Sequence, residues 1–276
     1  MKIAVCFKAV PDFDQVVDAD WEHFDLSAGL EYVKRVFGGF DESALETALR
    51  LRSAWEEGGE KTECTAVTAA PLPPPLCKTL FAAGFDRVLD LSGAFPGESP
   101  ALSAEFRPRH IAAILGNCLG SAGYDLILTG RQAGYADTGT VPLLLAEILG
   151  IPALTGAEEI APCAGGIEVR RIAEAGRERL QVRLPLLAAL GNSPVSALRA
   201  VTLSARMAAS RRNAERPAFP DGTVPPFNGW DRQNSDEAPR FSREDRHKTC
   251  RFLPAGDDLA RSVAELRGEY LRGQEG

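Results

Sequence analysis

No apolar run in this 276-residue chain approaches the roughly 18 to 20 residues needed to cross a membrane. The longest, Leu184 to Leu190, is strand-sized, so no membrane span is expected. The N-terminus has one lysine and passes directly into Ile3 to Phe7, which lacks the length and cleavage signal of a secretory peptide and reads as a first buried strand. Cysteine pairing is also missing. Cys6, Cys64, Cys77, Cys118, Cys163 and Cys250 are far apart with no C-x-x-C pair, which excludes the usual zinc, iron-sulfur and dithiol patterns. They read as reduced core thiols of a cytoplasmic protein. His23, His110 and His247 are equally scattered, so no metal site or catalytic triad is proposed from them. There is no sustained basic block, and 31 Lys and Arg stand against 38 Asp and Glu, a net charge of −7. Nucleic acid is therefore not an expected partner. Two phosphate motifs are absent as well, G-x-x-x-x-G-K-[ST] and G-x-G-x-x-G after the first strand, which argues against a P-loop NTPase and a dinucleotide-type Rossmann domain.

What is present is an ordinary globular composition, 45% hydrophobic and 25% charged. Short apolar runs at Ile3 to Phe7, Cys64 to Ala69, Arg87 to Leu91, Asp125 to Thr129 and Leu186 to Leu190 read as strands. Between them, Asp41 to Trp55, His110 to Leu119 and Val141 to Leu149 read as helices, the last stopped by Gly150 and Pro152. The alternation predicts an α/β fold with a parallel sheet and helices on both faces. Ile167 to Leu184 alternates apolar and polar residues about a turn at Glu174-Ala175-Gly176, which predicts a small hairpin insertion. Ala197 to Arg212 reads as a helix. Its arginines, with Arg216 (Arg199, Arg206, Arg211, Arg212), either meet an acidic partner or form a solvated helix face. Pro217 to Arg246, rich in turn formers, reads as an extended C-terminal arm, either a linker or a segment laid over a neighbour through Phe219, Phe227, Trp230 and Phe241. A terminal helix is predicted over Asp257 to Leu271, docking on the parent domain or a second subunit. The division is thus 1–212, a nucleotide-binding domain, and 213–276, an arm and helix for subunit docking.

The strongest local signal is the stretch from Asp125 to Pro142. A buried strand ends at Gly130, a small-residue loop crosses its carboxyl end, and Thr138-Gly139-Thr140 stands at the start of a helix. Free amides and the positive end of the helix dipole favour a phosphate there. The alternative is a crossover loop with an ordinary Thr cap. Gly38-Gly39-Phe40-Asp41-Glu42-Ser43 superficially resembles the S-G-G-x-D-S loop of ATP pyrophosphatases, but its place and spacing fit an acidic helix start better.

Taken in order, the motifs resemble the β subunit of electron transfer flavoproteins, the family that includes FixA-type proteins, over about residues 1 to 212. Met1 to Pro11 is similar to the family's opening strand and V-K-x-V-P turn. Phe40-Asp-Glu-Ser-Ala-Leu-Glu-Thr-Ala-Leu-Arg-Leu is similar to N-P-F-D-E-x-A-L-E-E-A-L-R-L, and Ala82 to Arg87 to A-x-G-A-D-R. Gly130 to Val141 is similar to G-[KR]-Q-A-x-D-x-D-x-x-Q-V-G, whose last glycine falls at Pro142, and Leu145 to Thr155 to L-A-E-x-L-G-x-P-x-x-T. The chain departs from the pattern at Tyr135-Ala136, Thr140 and Pro142. The resemblance implies an adenine nucleotide α hydrolase-like, Rossmann-like fold. It also implies a heterodimer with an α-type subunit carrying FAD, and AMP or a second FAD held by this chain. Its nucleotide contacts would be Cys6, Phe40, Asp41, Ala69, Gly130, Arg131, Gln132, Ala133, Gly134, Asp137, Thr138, Gly139, Thr140 and Val141. Asn192, Ser193, Pro194 and Val195 keep the Asn and Pro of the partner-recognition motif N-E-P-R. The redox partner implied is a flavin dehydrogenase or a quinone-reducing protein, with no catalytic residue in the chain. The alternatives are an ATP-binding or ATP-hydrolysing protein of the same fold, or a degenerate scaffold paralogue.

Overall fold

The computed structural model describes residues 1–16, 33–94, 108–134 and 138–218, together with 261, 263 and 264. The chain falls into two units, Met1–Trp230 and Asp231–Gly276. Of the second only Arg261, Val263 and Ala264 are described, as helical residues. Nearly all of the arm and of the terminal helix expected over Asp257 to Leu271 therefore lies outside the described residues.

The first unit is built on β1 (Lys2–Cys6), β2 (Ala9–Pro11), β3 (Arg35–Phe37), α1 (Gly39–Glu57), β4 (Glu63–Thr68), α2 (Pro74–Ala83), β5 (Arg87–Asp90) and α3 (Pro108–Gly120). After these come β6 (Leu126–Gly130), α4 (Val141–Leu149), β7 (Ala153–Cys163), β8 (Gly166–Ala173), β9 (Gly176–Val182), β10 (Leu186–Leu190) and α5 (Leu203–Ala209). Eight strands form one sheet in the order β5-β4-β1-β6-β10-β7-β8-β9. The first six are mutually parallel, and β7, β8 and β9 continue as an antiparallel meander. The expected hairpin thus belongs to a three-stranded extension of the sheet, joined through β7.

The fully buried strands β6 and β10 are buried because helices cover both faces of the parallel region. Alternate residues of each strand enter opposite cores. Ile3, Val5, Leu126, Leu128, Leu186 and Leu190 meet α1 and α2 on one side. Ala4, Cys6, Ile127 and Leu187 meet α3 and α4 on the other. No helix among the described residues is long and apolar enough to cross a membrane.

Three expectations are corrected. The helix expected over Ala197 to Arg212 is confined to Leu203–Ala209. Upstream, the backbone N–H and guanidinium of Arg199 both bind Glu46 of α1, which holds that stretch out of a helix, and Thr202 caps the helix that follows through the Ala205 N–H. The arginines there are not all free for a partner or for solvent. Arg212 stacks over Phe81 at 3.9 Å, and Arg216 pairs with buried Asp90 at 3.0 Å. Glu215 bridges β5 as a parallel strand residue, accepting from Asp90 N–H and donating to Val88 O, and its carboxylate meets Arg87. Residues 212–216 thereby cover the otherwise open edge of β5. Finally, the described cysteines are all free thiols, but only Cys6, Cys64 and Cys77 are buried; Cys118 and Cys163 are partly exposed.

Candidate functional site

The sheet changes direction of travel beside β1. The chain moves outward from β1 to β4 and β5, then returns through α3 to place β6 on the other side of β1. Loops leaving the carboxyl ends of β1 and β6 must diverge there, which opens a crevice of the kind that binds ligands in open α/β sheets. The crevice holds about 790 Å3 of space outside protein atoms, including its open mouth, a size within the range of small-molecule sites. Cys6, Phe7 and Lys8 lead off β1, Ala69 and Ala70 follow β4, and Thr129 and Gly130 end β6. Pro108, Ile111 and Leu115 of α3 and Val141 and Pro142 of α4 form the apolar wall. Arg131, Gln132, Ala133, Thr138 and Gly139 cross the mouth.

Asp41 ties the floor together. Gly38 is the N-cap of α1, which places Asp41 in the first turn of the helix. Its Oδ2 accepts the Lys8 N–H at 3.0 Å and its Oδ1 accepts the Gly130 N–H at 3.2 Å. The carboxyl group thus joins the ends of β1 and β6 to the start of α1 while only 5% exposed. Burial pushes its pKa from 3.8 up to about 7, against the opposing pull of the two amides and the Lys8 charge. Gly130 has no room for a side chain, since a Cβ would lie 2.4 Å from Asp41 Oδ1. Burial likewise drives the Cys6 thiol far above its ordinary value, with Cys118 and Asp41 adding to the effect, so Cys6 stays protonated and is no nucleophile.

The mouth loop is stiffened locally. Thr138 and Thr140 hydroxyls lie 3.0 Å apart, Gly139 takes a left-handed φ of 60°, and Thr140 is the N-cap of α4 but makes no side-chain cap. The ordinary Thr cap weighed from the sequence is therefore not formed by Thr140. Arg131 lies over the Phe40 ring at 5.4 Å.

A second, shallower cleft adjoins the first. Phe40 and Ser43 of α1, Gln132 to Gly134, and Gly191 to Ser193 with Ser196 line it, and Gln132 and Ala133 face both clefts. The Gly191 loop is held by the Gly191 N–H to Ala157 O bond at 2.8 Å and by an ST turn in which Val195 N–H donates to Ser193 Oγ at 3.1 Å. Beyond it, Arg199 grips Glu46 in a fork at 3.0 and 3.1 Å while Arg50 adds a third contact at 3.1 Å. Burial acts to raise the Glu46 pKa, yet Arg199 and Arg50 together hold it below the ordinary carboxylate value. Glu46→Ala is expected to cost about 1 to 2 kcal/mol, because it removes the acceptor of the charge-assisted hydrogen bonds from Arg199 and Arg50, both of which stay open to solvent. Denaturant unfolding measures that loss, and faster proteolysis around residues 191–199 reports the loosened loop.

The structure gathers Cys6, Asp41, Ala69, Gly130, Arg131, Gln132, Ala133, Thr138, Gly139 and Val141 around the first cleft. Phe40 and Gly134 line the second, beside Asn192 and Ser193, with Pro194 and Val195 next in the chain. Thr140 sits at the N-cap of α4, and Asp137 lies outside the described residues, as do Tyr135 and Ala136. Sequence reasoning missed Lys8, Ala70, Ile111, Leu115, Thr129 and Pro142 as lining groups. Only the neighbours of Cys6 and Gly130 in the chain carried any signal.

A buried hydroxyl without a partner, Thr129 Oγ1, and a mouth beside the amino end of α4 fit a group with a polar, anionic end and a flat apolar body. The model of the electron transfer flavoprotein domain matches residues 30–221. The chain is 30% identical over 191 residues to an electron transfer flavoprotein subunit beta of Megasphaera elsdenii, covering 68% of this chain and 67% of that one. It is 32% identical over 190 residues to protein FixA of Azorhizobium caulinodans, covering 68% and 64%. It is 29% identical over 190 residues to the acryloyl-CoA reductase electron transfer subunit gamma of Anaerotignum propionicum, covering 68% and 66%. The chain spans about two thirds of the length of these relatives. Since the matched region runs from α1 through the mouth loop to residues 212–216, and so contains most of the cleft, the chain belongs to the electron transfer flavoprotein family.

Proposed function

We propose that this β-subunit-like member of the family binds AMP or FAD in the cleft at the carboxyl edge of β1 and β6. In this reading it pairs with an α-type subunit carrying FAD, and the heterodimer shuttles electrons from a flavin dehydrogenase to a quinone-reducing acceptor. The observation that carries the reading is the cleft at the sheet's switch point, lined by Gly130 to Ala133 at the end of β6 and by Thr138, Gly139 and Val141 at the amino end of α4. Phosphate would lie at that loop, held by backbone amides and by Thr138. The apolar wall of Ile111, Leu115 and Val141 would exclude water from the base. A bound flavin supplies electron transfer, whereas AMP supplies none and serves to hold the loops. The residues of this chain bind and orient, and none acts as a catalytic group. The loop at Asn192, Ser193, Pro194 and Val195 faces the redox partner, and the arm holds the α subunit. The free thiols of the described cysteines support a reducing compartment, the cytoplasm.

Co-expression with an α-type subunit, size-exclusion chromatography and identification of the nucleotides released on denaturation test this. The expected result is an equimolar heterodimer that releases one FAD together with either AMP or a second FAD. A heterodimer releasing one FAD and no other adenine nucleotide would remove the nucleotide reading, and separate elution would remove the pairing. Turnover of ATP by the purified chain would favour an ATP-hydrolysing protein.

A further inference from the structure

Thr129 is the penultimate residue of β6 and stands in register beside Cys6 of β1. Strand alternation sets its side chain on the face of Ile127 and Cys6, toward α3 and α4, which is the face on which the cleft opens. The residue is only 3% exposed, and its hydroxyl has no hydrogen-bond partner. Thr65, another buried hydroxyl in that condition, has the Tyr124 phenol beside it. Ile111 and Leu115 line the same cleft, as does Cys6, whose thiol stays protonated. Buried side-chain polar atoms are rarely left without a partner, because the desolvation of an unmade hydrogen bond is costly.

We propose that Thr129 is a ligand-reading residue whose hydroxyl hydrogen-bonds the nucleoside half of the bound nucleotide. The inference rests on the nucleotide reading above and deepens it. The anionic end belongs at the mouth, beside Gly130 to Ala133, Thr138 and Gly139 and the amino end of α4. Thr129 lies inward of the mouth among apolar groups, which suit a base or ribose and not a phosphate. Rotation about χ1 exchanges the threonine hydroxyl and methyl within nearly the same volume, so the hydroxyl can turn into the cleft when a partner arrives. Because a hydroxyl both donates and accepts, it can meet a ring nitrogen, an exocyclic amino group or a ribose hydroxyl.

Thr129→Val removes the hydroxyl and keeps the shape, and Thr129→Ser keeps the hydroxyl. Calorimetric titration of nucleotide-free protein with AMP and with adenosine, together with melting of the nucleotide-free protein, separates the possibilities. The expected result is that Thr129→Val weakens AMP and adenosine by the same factor, about fivefold to tenfold. Thr129→Ser should bind within about twofold of the wild type, and nucleotide-free Thr129→Val should melt at or above it. Unchanged AMP affinity in Thr129→Val would overturn the assignment, as would a loss confined to AMP, which would place the hydroxyl on phosphate. A lower melting temperature of nucleotide-free Thr129→Val would also overturn it, by showing that the hydroxyl already serves the protein. Failure of the wild type to bind AMP sinks the nucleotide reading itself and is seen in the wild-type titration alone.

Discussion

Gly130→Val is expected to lower the melting temperature by roughly 10 °C and to empty the cleft of nucleotide. A Cβ at this position would lie 2.4 Å from Asp41 Oδ1, 3.0 Å from the Asp41 backbone nitrogen and 3.1 Å from the Phe40 carbonyl carbon. Two of those three neighbours are main-chain atoms at the start of α1, so the strain cannot be relieved by turning a flexible side chain. Either the amino end of α1 moves away from β6 or the Gly130 N–H to Asp41 bond breaks, and both remove support from a buried carboxyl group. Overpacking of this kind, added to a broken buried hydrogen bond, costs about 4 kcal/mol. At about 2 to 4 °C per kcal/mol for a domain of this size, that is the shift stated. Gly139→Val is the contrasting case. There the left-handed φ of 60° makes any side chain strained, but the nearest atom is 3.8 Å away, the Arg131 carbonyl oxygen. Its cost is about 1 to 2 kcal/mol of backbone strain, and its main effect is to block the mouth. Thermal melts and nucleotide content of the two variants should therefore diverge. A Gly130→Val protein that melts with the wild type would show that the Asp41 clamp contributes nothing.

The sequence pattern made the central sheet readable and its margins less so. β1 and β10 stand out because strands buried on both faces must be continuously apolar. β7 was not seen, since it is half-exposed and carries Glu158, Glu159 and Pro162 within one strand. α2 was hidden behind Pro73, Pro74 and Pro75, which look like loop punctuation although proline at the first helical positions is compatible with a helix start. The stretch around Arg199 has a helical pattern, but its tertiary partner, Glu46, lies far away in sequence and nothing local announces it. The same division holds at the cleft. Gly130 to Ala133, Thr138, Gly139 and Val141 lie close together in the chain and were legible as one group beside a strand end, and the acidic start of α1 was legible as a helix start. That Asp41 reaches across to Gly130, that Thr129 stands beside Cys6, and that Ile111 and Leu115 close the wall all depend on strand register and helix packing. Those relations become visible only when the strands are laid side by side.

The tail shows why function and stability are entangled in this chain. Residues 212–216 seal the β5 edge through Glu215 while Arg212 and Arg216 bind Phe81 and Asp90. A chain cut after Arg212 would lose the edge cover together with the arm. The docking role of the arm is therefore better tested by ending the chain after Ala218, which leaves the β5 bridge in place.

Asp41 makes stability depend on pH in a direction opposite to that of most carboxylates. In the unfolded chain it ionises near 3.8, and in the folded protein near 7. Between those values the folded state holds a proton that the unfolded state has released, so stability falls as pH rises from about 4 to about 7 and the loss is complete above that. The difference corresponds to about 4 kcal/mol. Lys8, Cys6 and the Arg131 guanidinium over Phe40 are the polar or charged neighbours at this end of the cleft. Cys6 stays neutral throughout the window, so Asp41 is the group that titrates there. Asp41→Asn cannot ionise. Its amide oxygen keeps one of the two backbone hydrogen bonds while its NH2 faces the other donor, so the variant should be less stable than the wild type at pH 5 by about 1 to 2 kcal/mol. That deficit should shrink and reverse by pH 8, because only the wild type then carries an unfavourably buried charge. Thermal melts of both proteins at pH 5, 6, 7 and 8 measure the crossing, and parallel curves would sink the assignment. The same ionisation places negative charge on the floor of a site read as anion-binding. Compared at each pH, so that the second ionisation of the AMP phosphate at about pH 6 is common to both, AMP affinity of the wild type should fall relative to that of Asp41→Asn through pH 7.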